Sequence, residues 1–184
     1  ILSSSAQAAD LIAARKHLED KGHVLWVWDR PSDSKTDYAS LYESSFEEPI
    51  GQVTEAKLKD YAMWQKIDFE SPLFRDLSDS KFNDFTKVRF WQHRRLELND
   101  SATTWKRIVS FDDGSPAMLQ RAVDGGLFSM MLSGWQPIES QLALSSKFVP
   151  IISNLVRMAL PEDKTRPNYR VGDILEVPDG ATVE

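Results

Sequence analysis

The 184-residue chain contains no cysteine. This absence excludes disulfides, thiolate nucleophiles and zinc–sulfur sites together. It leaves the compartment open, because a periplasmic domain of this size can fold without disulfides. The sequence also lacks any run of ~18 apolar residues, so no segment is predicted to span a membrane. The first residues have neither the basic nor the apolar region of a signal peptide. Because the chain begins with isoleucine, we interpret it as a piece of a longer protein.

Basic residues are in the minority. Lysine and arginine number 22 against 28 aspartates and glutamates, which gives a net charge of -6. A protein that follows the phosphates of a nucleic acid normally needs a basic footprint, so nucleic acid is not expected among the partners. The hydrophobic fraction of 41% and the charged fraction of 27% are ordinary for a globular chain. The length suits one domain with a substantial core.

The first part of the chain predicts a helix followed by a buried strand. Residues 6–21 place apolar side chains at helical spacing, and Gly22 suits the left-handed position after a helix. The five apolar residues Val24–Trp28 follow, and such a run is typical of a strand buried on both faces. Helix, turn and buried strand make half of a βαβ unit, so a parallel sheet is expected. A short helix over 38–46 and a strand over 61–69 come next.

Residues 105–133 predict an antiparallel meander of three strands. The two turns, Asp112–Pro116 and Asp124–Gly126, carry the Asp-Gly pairs that favour tight reversals. The third strand, Leu127–Leu132, is the most apolar and is expected to be the most central. A helix over 147–160 follows, with its apolar side chains in one stripe.

Together these elements predict an α/β fold. We expect a flavodoxin- or Rossmann-like three-layer sandwich with an antiparallel sheet extension, formed by residues 1–161, whose own first strand would lie before residue 1. Residues 162–184 change to a polar, proline-bearing composition, so they are interpreted as a linker and the start of a following β segment.

The segment 88–98 alternates between apolar and polar side chains and predicts one half-buried strand. Its polar face carries a histidine among arginines, which could act as a general base or hold an anion, or could simply be a solvated face whose charges pair with local acids. Tryptophans at 26 and 28 are expected in the core, whereas those at 91, 105 and 135 are better placed for surface contacts. The residues predicted to contact a ligand or partner are Arg89, Trp91, His93, Arg95 and Trp135.

Two turns raise the question of a metal or phosphate site. Closely spaced aspartates at Asp112 and Asp113 suit a hard cation, but the spacing lacks the closing glutamate of a calcium loop, so hairpin turn chemistry is favoured. Gly125 and Gly126 precede a strand and not a helix, which favours a turn over a phosphate loop. No catalytic residue, metal or cofactor is predicted.

Several motifs together resemble a known family. They are Ile67–Phe74, Phe82–Trp91, His93–Leu96, Phe111–Ala117, Arg121, Gly125-Gly126, Trp135 and Lys147–Pro150. They resemble bacterial membrane proteins of the Bat (aerotolerance-regulator-like) type, some of which carry a von Willebrand factor A domain. The resemblance implies a class I glutamine-amidotransferase-like, flavodoxin-like domain. An amidotransferase needs a nucleophilic cysteine, which this chain lacks, so the activity is not expected.

The function expected from the resemblance is that of a non-catalytic ligand- or protein-interaction domain in a membrane-anchored bacterial protein. The domain would be an extracytoplasmic part of an inner-membrane protein, and its partners would be other proteins or other domains of that same protein. Two alternatives stay open: a hydrolase or amidotransferase-like enzyme with a non-cysteine site, and a structural spacer. A deep cleft that joins His93, Arg95 and an acid would favour the enzyme.

Overall fold

The computed structural model describes residues 1–29, 37–99 and 104–159, and the predicted linker and β segment at 162–184 lie outside them. The described residues form three helices and eight strands. In chain order these are α1 (Ala8–Glu19), β1 (His23–Val27), α2 (Tyr38–Phe46), β2 (Gly51–Glu55), β3 (Ala62–Ile67), β4 (Arg89–Phe90), β5 (Arg94–Leu98), β6 (Lys106–Phe111), β7 (Pro116–Val123), β8 (Gly126–Met131) and α3 (Phe148–Ala159).

Six strands form one mixed sheet in the order β1-β8-β7-β6-β3-β4, and β2 and β5 form a separate two-stranded ribbon. Strand β1 runs parallel to β8, whereas the other neighbouring strands of the sheet pair antiparallel. Leu2, just before α1, adds an isolated parallel bridge to Trp26 on the outer side of β1. The sheet curls into a half-barrel.

The sheet separates two hydrophobic clusters. One contains Leu25 and Val27 of β1 together with buried residues of α3 and of the irregular segment 73–88. The other contains Trp26 and Trp28 with buried residues of α1, α2 and the ribbon. Successive residues of a strand point to opposite faces, so the apolar run of β1 is buried on both sides because a different layer covers each face. The placement of both tryptophans in the core is confirmed.

Locally encoded elements agree with the sequence. The helix over 38–46 is confirmed as α2, where Asp37 accepts a hydrogen bond from the Ser40 amide and so caps the first turn. The helices predicted over 6–21 and 147–160 are confirmed as α1 and α3. The meander over 105–133 is confirmed as β6, β7 and β8. Strand β8 is wholly enclosed, but β7 and β6 occupy the middle of the sheet, so its predicted central position is wrong.

The predicted flavodoxin- or Rossmann-like three-layer sandwich is wrong. Such a fold needs successive βαβ crossovers, each of which adds a parallel strand. Here one neighbouring strand pair of the sheet is parallel, and the chain after β1 enters α2 and the ribbon before it returns through antiparallel strands. The architecture is therefore a mostly antiparallel, curled sheet with helices packed against it.

Candidate functional site

The segment predicted as one strand over 88–98 is broken in the structure. Strand β4 is the edge of the main sheet, and β5 belongs to the ribbon, with a bend at 91–93 between them. The alternation keeps its phase across the bend, but His93 departs from it and is buried beside its neighbour Arg94. The expected continuous polar face of arginine, tryptophan and histidine is therefore not formed.

Arg94 forms a buried ion pair with Glu139. The two side chains are 1% and 0% exposed. The guanidinium binds the carboxylate in a bidentate manner, with Nη1 2.5 Å from Oε2 and Nη2 2.9 Å from Oε1. Its Nη1 also donates to the carbonyl of Trp28, and its Nε donates to the exposed carboxylate of Glu55. Burial alone would lower the pKa of Arg94, but hydrogen bonds from the guanidinium to Glu139 and the negative charge of that carboxylate raise it.

The ion pair closes the place where an α/β sheet would bind a ligand. Ligands of open parallel sheets sit at the carboxyl ends of the strands. Here Trp28 follows the end of β1 and Leu132 follows the end of β8, and Arg94 bonds to the carbonyls of both. Glu139 also accepts the amide of Gly134. The Arg94–Glu139 pair therefore occupies the carboxyl ends of β1 and β8, and it ties the loop 134–145 to the sheet.

Sequence reasoning missed Arg94 and Glu139 as a pair. Arg94 lies an even number of residues from Phe90 and Leu96, which are apolar and buried, so the alternation puts it on the same side of the strand. A charged residue at such a position could have indicated a buried arginine. The acid lies 45 residues later in a loop, so no local spacing could have identified it.

The five predicted contact residues are scattered. His93 is buried and its ring stacks on Phe111 with 3.9 Å between centroids, and its Nε2 has no hydrogen-bond partner among the described residues. Burial lowers the pKa of His93. Arg95 is exposed and pairs with Asp113 at the surface. His93, Arg95 and Asp113 are close enough for their charges to interact, but the histidine is buried whereas the arginine is exposed.

The other three predicted contacts lie toward the edge of the sheet. Arg89 is exposed, and its guanidinium lies 4.6 Å from the ring centroid of Tyr61. Trp91 is exposed in the bend, and its amide donates to the carbonyl of Glu139. Trp135 is half-buried, with its ring edge against Phe148. Trp105, also considered a surface residue, is instead buried on the α2 side of the sheet.

The turn Asp112–Pro116 is a hairpin turn. Asp113 accepts hydrogen bonds from the amide and hydroxyl of Ser115. Burial would raise the pKa of Asp113, but the Ser115 bonds and the Arg95 contact lower it to about 2. Within residues 1–29, 37–99 and 104–159, no group of three histidines, aspartates or glutamates is placed to hold a metal ion.

One serine–histidine contact resembles a catalytic pair. His23 Nε2 lies 2.8 Å from the hydroxyl of Ser129, which also accepts a hydrogen bond from Gln120. Ser129 is fully buried between β1 and β7, and burial lowers the pKa of His23 to about 4. Because the hydroxyl does not reach the surface, the contact satisfies a buried polar chain between strands.

A basic cavity lies beside β4. Its volume is about 450 Å³, and lysines dominate its charge. Lys147 is anchored, because its Nζ donates to the carbonyl of Phe82 at 2.6 Å and lies 5.5 Å from the ring centroid of Phe85. We call this feature the lysine cavity; its lining includes Lys81, Asp84, Lys87, Gln141, Leu144 and Lys147.

Several exposed apolar side chains lie on the segments that surround the same cavity. Eight large hydrophobic residues are exposed among the described ones; Ile1 and Ile12 lie near the start of the chain, and Val156 lies on α3, seven residues beyond Val149. The loop 134–145 pairs with β4 through the bridge between Phe90 and Ser140, and the amide of Trp91 donates to the carbonyl of Glu139, which follows Ile138. We call the other five the apolar face: Phe82, Trp91, Ile138, Leu144 and Val149.

Comparison with known proteins identifies relatives in fold. No protein-family model matches the chain. No curated protein matches it either. The cytoplasmic protein STM3548 from Salmonella typhimurium is similar in structure, with a TM-score of 0.59 and 12% identity over 81% of this chain and 59% of its own. The cytoplasmic protein STM1381 from Salmonella typhimurium LT2 gives 0.59 and 11%, over 82% of this chain and 60% of its own.

The chain thus spans about three fifths of each of these two proteins, and at this identity the likeness establishes the fold alone. The exo-beta-1,4-mannosidase Op5Man5 from Opitutaceae bacterium strain TAV5 is more distant, with a TM-score of 0.42 and 13% identity over 83% of this chain and 23% of its own. That score is too low to support any inference about this chain.

The resemblance to Bat-type proteins is wrong on these findings. The structural relatives share a curled mixed sheet, and neither the amidotransferase-like nor the flavodoxin-like description fits it. The expectation of a membrane-anchored, extracytoplasmic domain is wrong as well, because the relatives are named cytoplasmic proteins. None of the helices in the described ranges combines the length and apolar character that crossing a membrane requires.

Proposed function

We propose that this domain is a non-catalytic protein-interaction domain that docks a partner on the apolar face. The observation that carries the proposal is the set of exposed apolar side chains on the bend after β4, the loop 134–145, the start of α3 and Phe82, segments that surround the lysine cavity. Contiguous exposed apolar surface commonly marks a contact site, whereas single exposed residues need no explanation.

Two features of the predicted contact residues support this function over an enzyme. Arg95 lies on an open surface with its charge paired to Asp113, and His93 is buried away from both cavity and solvent. Trp91 and the aliphatic side chains Ile138 and Leu144 instead offer the large, rigid contact area on which protein interfaces depend.

Site-specific photo-crosslinking tests the proposal. The full chain, carrying a photoreactive phenylalanine analogue at Trp91, is expressed in its native host and irradiated, and the adduct is identified by mass spectrometry. The same analogue at Ile12, an exposed position on α1, is the control. We expect one protein adduct from position 91 and none from position 12.

The recovered partner must then bind the purified protein through the same face. Ile138→Asp and Leu144→Asp place charges at residues that are 69% and 72% exposed, so they are expected to weaken binding at least tenfold without unfolding the domain. Ile12→Asp, at a residue 63% exposed, should leave affinity unchanged. Equal losses from all three variants, no adduct, or self-association that depends on Ile138 would refute a heterologous docking face.

A further inference from the structure

We infer that the lysine cavity receives an acidic polypeptide segment of the docked partner. This inference rests on the proposed function and assigns the chemistry of the partner. Three observations support it: the positive charge of the lining residues, the absence of ion pairs at Lys81 and Lys87 among the described residues, and the position of the cavity next to the apolar face.

The charge of the cavity is opposite to that of the whole chain. Three ammonium groups, those of Lys81, Lys87 and Lys147, face one carboxylate, that of Asp84, on a protein with a net charge of -6. At physiological ionic strength charges are screened over about 8 Å, so an acidic group in the cavity responds to the nearby lysines more than to distant acids. The local field therefore attracts an anion that the protein as a whole would repel.

The lysines are available for an external anion. Lys81 and Lys87 are exposed, and neither forms an ion pair among the described residues. Lys147 is held by a carbonyl, so two of its three ammonium donors remain for other acceptors. Hydrogen bonds from Thr86, with the charges of Lys87 and Lys147, lower the pKa of Asp84, so this single carboxylate stays ionised and balances one of the three ammonium charges. The cavity thus has unsatisfied positive charge and little internal acid to neutralise it.

The neighbouring apolar face favours a polypeptide segment over a free small anion as the ligand of the lysine cavity. Leu144 lines the cavity and is also 72% exposed, and the ring centroid of Phe82 lies 5.9 Å from Nζ of Lys147, another lining residue. A polypeptide can place carboxylates over the lysines and an apolar side chain on Leu144 at once. A free small anion would leave that apolar surface in water. Apolar contact next to charge therefore favours an acidic peptide segment that carries at least one large apolar residue.

A peptide titration followed by ¹⁵N nuclear magnetic resonance tests the inference. The probe is a synthetic ten-residue peptide of eight glutamates and two leucines, and a peptide with glutamines for the glutamates is its control. We expect the acidic peptide to shift the amide signals of the residues that line the cavity and of the loop 134–145. The control peptide is expected to bind at least tenfold more weakly, and higher salt should weaken the binding of the acidic peptide only.

Variants locate the charge recognition. Lys81→Gln with Lys87→Gln removes the two exposed ammonium groups and is expected to weaken the binding of the acidic peptide at least tenfold. The matched control is Lys57→Gln with Lys59→Gln, because these two lysines are also exposed, their replacement removes the same charge, and they do not line the cavity. The control pair should change the affinity less than twofold.

Several outcomes would overturn the inference. Equal binding of the two peptides, equal effects of the two lysine pairs, or inorganic phosphate that binds as tightly as the acidic peptide would each exclude recognition of an acidic segment. The proposed function is judged separately. A crosslinked partner whose affinity ignores Lys81→Gln with Lys87→Gln removes the inference and keeps the docking face. If the acidic peptide binds but no partner is crosslinked, recognition of an acidic segment by the lysine cavity is supported and docking on the apolar face is refuted.

Discussion

Breaking the buried ion pair should cost several kilocalories per mole. In Arg94→Met, the carboxylate of Glu139 stays fully buried and keeps the amide of Gly134 but loses both guanidinium bonds. In Glu139→Leu, the guanidinium stays buried and keeps the exposed Glu55 as a carboxylate partner. Removing one partner of a buried pair typically destabilises by about 3–5 kcal/mol. Either change would therefore consume a large part of an ordinary stability of about 5–15 kcal/mol.

The double variant Arg94→Met with Glu139→Leu should be less destabilised than the sum of the single variants. Neither charge of this pair remains in the interior, and the residual cost includes two backbone groups, the Trp28 carbonyl and the Gly134 amide, that lose a partner. At about 1–2 kcal/mol each, the double variant should lose about 2–4 kcal/mol, against about 6–10 kcal/mol for additive single effects. The expected coupling is thus several kilocalories per mole.

Urea unfolding at pH 7, followed by fluorescence and by circular dichroism, measures these losses. The control is Arg157→Met, which breaks the ion pair with Asp76 between side chains that are 69% and 57% exposed. An exposed pair of this kind contributes at most about 1 kcal/mol. The reasoning is refuted if Arg94→Met costs no more than Arg157→Met, or if the double variant equals the sum of the single ones.

Two further stability predictions follow from buried groups and close contacts. Burial lowers the pKa of His23 from 6.5 to about 4 and also lowers that of His93, so the stabilisation is present above pH 6.5 and is lost as the pH falls toward 4. His23→Gln should reduce the drop in unfolding free energy between pH 7 and pH 4.5 by at most about 3 kcal/mol, and an unchanged drop would contradict the assignment. Gly126→Ala would bring a methyl group within 2.6 Å of the carbonyl oxygens of Gly22 and Leu18, so it should lower the unfolding free energy by about 2 kcal/mol or more. Wild-type stability in a thermal or urea melt would show that β8 does not approach the end of α1 so closely.

The sequence predicted the elements that depend on neighbouring residues. The meander is specified by Asp-Gly turns between apolar strands, and α2 is specified by a capping aspartate, Asp37, before its first turn. The same local rules did not reveal how the strands assemble. Burial of β1 on both faces suggested the interior of a parallel sheet, yet helical layers on either side of a single parallel pair produce the same burial.

The segment 88–98 shows why the candidate site could be predicted only in part. Its alternation is real on either side of the bend, so the exposure of Arg89, Trp91 and Arg95 follows from the sequence. The bend itself depends on β4 and β5 joining different sheets, which is a tertiary property. The bend buries His93, and the arginines on either face of β5 form one internal pair and one surface pair in place of an anion site.

The apolar face could not be predicted because its members come from segments that are distant in the sequence. Single exposed hydrophobic residues in loops, such as Ile138 and Leu144, are common and carry no signal on their own. Their significance appears when the loop 134–145 is paired with β4 and placed beside the lysine cavity. A docking surface of this kind is a property of the assembled fold.

The ion pair also connects stability to the proposed docking face. Glu139 lies directly after Ile138, its side chain binds Arg94, and its carbonyl accepts the amide of Trp91. The loop is therefore held in one position before a partner arrives, and such preorganisation reduces the ordering cost of binding. In the double variant Arg94→Met with Glu139→Leu, every residue of the apolar face is intact, but we expect faster hydrogen exchange at Gly134 and weaker partner binding by at least fivefold. Ile12→Asp should change neither quantity. Faster exchange with unchanged affinity would show that the partner orders the loop itself, and unchanged exchange would show that the backbone pairing with β4 suffices to hold it.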